Sequence, residues 1–121
     1  MTTNNLDATP PIDVNFLADF SDDPAEVREL VGMYLEQTEE RIANLGKAVA
    51  AGAAPDVMRL SHTCAGSSGM YGMTVIAPLF RELEQNAKAG DLSQATALHD
   101  RICNEFSRIK AFWQAYQQSS R

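Results

Sequence analysis

Basic residues are scarce in this 121-residue chain: ten Lys and Arg stand against sixteen Asp and Glu, a net charge of −6 with both histidines neutral. A nucleic-acid binder ordinarily presents a basic face, so the balance argues against that class. Cysteine is scarce too. Cys64 and Cys103 are too few for a disulfide scaffold, and a reduced, cytoplasmic setting is the simpler expectation. No apolar run approaches the ~20 residues that span a bilayer, so no membrane partner is expected. Residues 1–12 have neither the basic stretch nor the apolar run of a secretory signal. No segment alternates apolar and polar residues as a half-buried strand would.

What remains is helical. Apolar residues make up 45% and charged residues 21%, an ordinary globular composition, and the length suits one domain. Residues 1–12 are polar and end in Pro10-Pro11-Ile12, which reads as a flexible tail before a domain over residues 13–121. Val14, Phe16, Leu17 and Phe20 suit one or two helical turns closing the end of a bundle. Asp23 as N-cap, Pro24 at the first helical position and Glu26 closing a capping box mark a long helix that stops near Gly52. Its apolar stripe runs through Val27, Leu30, Val31, Tyr34, Thr38, Ile42, Leu45 and Val49. A second helix starts at Pro55 and breaks between Gly69 and Gly72. A third begins near Thr74–Pro78 and stops at Gly90, and a fourth runs from about Leu92 to Gln118. The expected fold is all-α: an antiparallel four-helix bundle with a short N-terminal capping helix.

The second of these helices is unusual. Val57, Leu60, Ser61, Cys64, Ser68 and Tyr71 fall on one face, which makes them core. His62 falls on the far side, among Pro55, Met58, Arg59, Ala65, Gly66 and Gly69. A glycine inside a helix costs about 1 kcal/mol relative to Ala. Gly66 lies one turn after His62, so the surface beside the imidazole is bare and open to a large partner. Most other polar residues read as structural. Cys64 is a small core residue, Ser67 and Ser68 bond carbonyls one turn back, and Trp113 and Tyr116 pack at the bundle end. His99 reads as a surface residue. Neither histidine has an acidic residue three positions before it, so no metal site is expected.

Around His62 the chain resembles the histidine-containing phosphotransfer (HPt) domain. That family's motif is His-x-x-Lys-Gly-Ser-Ser, followed by an apolar residue and Gly. Here the run is His62-Thr63-Cys64-Ala65-Gly66-Ser67-Ser68, then Met70-Tyr71-Gly72-Met73, with Phe80-Arg81-Glu82-Leu83-Glu84 and Ala89-Gly90-Asp91-Leu92 downstream. The resemblance covers roughly Phe16 to Tyr116. It implies a phosphorelay carrier, not an enzyme. His62 would take a phosphoryl group from a receiver-domain aspartate of a hybrid sensor kinase and pass it to a response regulator. An unperturbed imidazole is mostly neutral at pH 7 and so can attack. Glu84, at a position where the family often has a polar side chain, would hold the second ring nitrogen. Pro55, Met58, Ala65, Gly66 and Gly69 would form the partner-binding face. The protein itself would need no cofactor, since Mg²⁺ would sit in the partner receiver's acidic pocket. A free-standing cytoplasmic monomer is expected. One departure stands out: the family's Lys is Ala65 here. Arg59 is the first candidate to replace that cation and Arg81 the second. The alternatives are a degenerate domain that binds a receiver or kinase as an adaptor without carrying phosphate, and a structural bundle with an incidental His.

Overall fold

The computed structural model describes residues 9–119. Its helices are α1 (Val14–Phe20), α2 (Pro24–Ala50), α3 (Ala54–Met70), α4 (Ile76–Lys88) and α5 (Ala95–Ser119), with no strand among the described residues. Each long helix packs on the next, and α5 closes the ring against α2, giving an antiparallel four-helix bundle. The short α1 leans on α2.

Local chemistry sets the helix ends. The Asp23 carboxylate accepts from the Ala25 N–H at 3.0 Å, and Pro24 opens α2. Glu26 does not close back on Asp23 as a capping box would. It accepts from the Ser21 hydroxyl, whose Oγ in turn accepts from the Asp23 N–H at 3.1 Å. Gly52 ends the α2 region and Gly90 the α4 region with φ of +66° and +77°, conformations open to Gly at little cost. The core is filled from all four long helices: Val31 and Leu45, Val57 and Cys64, Phe80 and Leu83, Ile102 and Ile109 are fully buried.

Two side chains and one segment depart from the sequence expectation. Ser68 bonds across the core instead of to its own helix, 2.7 Å from the Tyr34 hydroxyl. Burial pushes the Tyr34 hydroxyl up to about 12. His99 is half-buried, not a plain surface residue. Its ring Nε2–H donates to the Ile42 carbonyl at 2.9 Å, and the ring fits only because residue 46 is Gly: a Cβ there would stand 3.0 Å from it. Finally, residues 9–12 do not form a loose tail. Pro11 and Ile12 are buried. Arg108 donates to the Thr9 carbonyl at 2.9 Å and to Glu105 at 2.8 Å, and the Asp13 N–H donates to the Gly72 carbonyl at 2.8 Å. Ile12 brings an apolar side chain that the bundle end can bury, which outweighs the polar character of its neighbours. The rest of the expected tail, residues 1–8, lies outside the described residues.

Candidate functional site

Helix α3 carries two glycines within one turn, at 66 and 69, where a plain bundle helix would favour Ala. Val57, Ser61, Cys64, Ala65 and Ser68 face inward. Burial pushes the Cys64 thiol up to about 11, which makes it unreactive packing. The Ser67 hydroxyl donates to the Cys64 carbonyl at 3.3 Å, one turn back. On the opposite side stands His62, whose side chain is 75% exposed.

Its neighbour on α4 is Glu84, 20% exposed, with Oε2 at 2.7 Å from His62 Nδ1. An ionised carboxylate can only accept, so the ring nitrogen that donates is Nδ1–H. The neutral tautomer then leaves the lone pair on Nε2, turned away from Glu84. A partly buried acceptor thus orients an exposed imidazole, in the manner by which partners of metal-binding histidines fix a tautomer. The two residues stand on different helices, and the pairing of α3 with α4 brings them together.

The surface around the ring is low. A Cβ added at Gly66 would meet nothing within 4 Å, and Pro55 and Gly69 are exposed. Met58 is only half-exposed and packs on the core. Ala65, placed on the outer face by its sequence position, is 4% exposed. The reason is that α3 packs on two helices, α2 and α4, so its buried arc is wider than a single stripe. Ala65 therefore does not belong to the outer face. Of the two arginines, Arg59 pairs with Asp56 at 3.4 Å, one turn earlier on its own helix. The Arg81 guanidinium reaches over α3 and lies 3.2 Å from the point where a Gly69 Cβ would stand. Neither touches His62.

Sequence spacing does not single out Met70, which is 58% exposed at the end of α3. Phe16 and Phe20 on α1 and Met33 on α2 are further exposed apolar side chains. Phe16 lies against Gly72, and the Phe20 ring stands edge-on to Tyr71 with centroids 5.9 Å apart. Among the described residues no group of three or more His, Cys, Asp or Glu could hold a metal ion, and no helix is long and apolar enough to cross a membrane.

Two comparisons agree with this geometry. The Hpt domain pattern matches residues 29–112, the greater part of the chain. The fold is similar to the crystal structure of histidine-containing phosphotransfer protein B from Pseudomonas aeruginosa PAO1, with a TM-score of 0.83 and 29% identity, covering 91% of this chain and 97% of that one. Among curated protein sequences no match was found.

Proposed function

We propose, from the premise that this chain belongs to the Hpt domain family, that it carries a phosphoryl group on Nε2 of His62 between receiver-domain aspartates of a phosphorelay. The observation that carries this reading is the 2.7 Å contact from Nδ1 of a largely exposed ring to Glu84. It leaves one nitrogen free and directed at solvent. In the accepting step, Nε2 attacks phosphorus of an aspartyl phosphate. The P–Nε2 bond forms as the P–O bond to the aspartate breaks, and the aspartate leaves as carboxylate. The Nδ1 proton stays on the ring against Glu84, so the phosphorylated ring is cationic. Donation is the reverse: an aspartate oxygen attacks phosphorus, and the ring departs as neutral imidazole without needing a proton from water. Glu84 therefore serves both directions. Mg²⁺, held in the partner's acidic pocket, would draw charge from the phosphoryl oxygens during either step.

The chain supplies the nucleophile and its orientation, and the partner supplies the rest. Pro55, Met58, Gly66 and Gly69 form the face on which a receiver docks. The bare surface at Gly66 lets the partner's rim pass over the helix close to the ring. A second reading, a receiver-binding adaptor that carries no phosphate, is favoured by one observation: position 65 has an apolar, buried side chain where the family has a cation.

Incubation with a receiver pre-loaded from acetyl phosphate separates the two. A carrier takes an acid-labile, alkali-stable label that His62→Gln abolishes. Binding of the receiver with no label on the wild-type chain would sink the carrier reading and leave the adaptor.

A further inference from the structure

A phosphoryl group on His62 brings a charge of about −1.5 to −2 to a ring whose other nitrogen already sits 2.7 Å from the Glu84 carboxylate. The ring, cationic once phosphorylated, is steadied by Glu84 on one side, so any counter-charge for the phosphoryl oxygens themselves has to come from the open side of the ring. Position 65 cannot supply it, being a buried Ala. Arg59 lies 3.4 Å from Asp56, a carboxylate one turn back that offsets its charge.

Arg81 is differently placed. It precedes Glu84 by one turn of α4, so the two side chains rise from neighbouring positions roughly 5–6 Å apart. Its guanidinium crosses onto the outer face of α3, 3.2 Å from where a Gly69 Cβ would be. Gly69 lies two turns beyond His62 and on the same side of the helix. Gly66, between them, has no atom within 4 Å of its Cβ position, so nothing bars the way along the row. No hydrogen bond or ion pair holds Arg81 among the described residues.

We propose that Arg81 is the cation that meets the phosphoryl group on His62, swinging along the bare strip from Gly69 past Gly66. This rests on the carrier reading above. The planar guanidinium donates two N–H groups to phosphoryl oxygens, a geometry that an ammonium matches only as a point charge. No proton moves and no bond is made or broken by Arg81. Its attraction grows as the phosphoryl group arrives. In the resting state it lies over a glycine, where a larger residue would displace it.

The test uses the folded protein without any partner. Potassium phosphoramidate phosphorylates the wild type, Arg81→Gln, Arg81→Lys and Arg59→Gln, with His62→Gln giving the background and circular dichroism confirming the fold of each. The ³¹P resonance of the phosphohistidine is then followed against pH. With a cation at hand, the second ionisation of the phosphoryl group is eased. Arg81→Gln should raise its midpoint by about half a pH unit, and high salt should erase the difference. Arg81→Lys should restore part of the shift, and Arg59→Gln should behave as wild type. Label on His62 with the same midpoint in wild type and Arg81→Gln overturns the assignment of Arg81 alone. Failure of a folded wild-type chain to take any label on His62 overturns the carrier reading and the role of Arg81 with it.

Discussion

Replacing Glu84 by Ala removes the only acceptor paired with His62 Nδ1 among the described residues. At 2.7 Å the contact is a charge-assisted hydrogen bond. A hydrogen bond in a folded protein contributes a net ~0.5–1.5 kcal/mol between neutral groups and ~1.5–3 kcal/mol where one partner is charged. Glu84 is 20% exposed but the ring is 75% exposed, so solvent screening pulls the value down to about 1 kcal/mol. That corresponds to about a fivefold change in rate or population. The ¹⁵N resonances of the ring should report the Nδ1–H tautomer in the wild type and a mixture in Glu84→Ala. The initial rate of labelling should fall about fivefold with the helix content unchanged, since Ala is the better helix former. Glu84→Gln keeps an acceptor oxygen without the charge, so it should hold the tautomer and lose only about half of that free energy. An unchanged tautomer together with an unchanged rate in Glu84→Ala would refute the orienting role.

Other outcomes follow from the same structure. Gly66→Gln should weaken receiver binding in titration calorimetry with the melting temperature unchanged or raised, because Gln is the better helix former and its side chain meets open space. Gly46→Ala should fail to bring the ~1 kcal/mol that Ala ordinarily adds in a helix interior when measured by chemical denaturation, because its methyl group would press on the His99 ring that bonds Ile42. The Tyr34 hydroxyl holds its proton up to about 12 in the folded state, against an ordinary value of 10. Unfolding between those values releases that proton, so stability should fall as pH rises through the window. Tyr34→Phe should remove that component of the alkaline loss while costing about 1–2 kcal/mol at pH 7, since Ser68 is left buried without its partner. Native-state alkylation at pH 8 should modify the half-exposed Cys103 well before Cys64, whose thiol is fully buried and raised to about 11.

Periodicity carried most of the fold. The stripe of Val31, Tyr34, Ile42 and Leu45 is the buried face of α2, and Pro24 and Gly90 mark helix limits that the structure keeps. The outward direction of His62 was likewise legible, because a polar residue opposite a continuous apolar stripe has one place to go. Ala65 was not legible in the same way. A small residue is neutral in a helical wheel, and only the docking of α3 against two helices at once decides its burial. The turn of Ser68 toward Tyr34 and of His99 toward Ile42 depends on which helices are neighbours, and no single stripe records that. The position of Arg81 over Gly69 belongs to the same class: one helix supplies the cation and another the vacancy that receives it. Residues 9–12 misled through their composition, since a single buried Ile12 and a carbonyl taken by Arg108 suffice to hold a polar segment in place.

The ring of His62 is 75% exposed beside the open space at Gly66, while a cavity of about 380 Å³ opens elsewhere, between α1, the start of α2 and the end of α5. As the proposed nucleophile, so exposed a ring cannot shut out water by itself. Hydrolysis of anything it carries is therefore set by how quickly a concave partner covers it, and protection belongs to the complex. An exposed ring of this kind has no lid to open and no walls to reshape between one socket and the next. On the proposed reading, two partners with the same hollow can use it in turn, and discrimination between them falls to the contacts around the ring, at Pro55 and Met58.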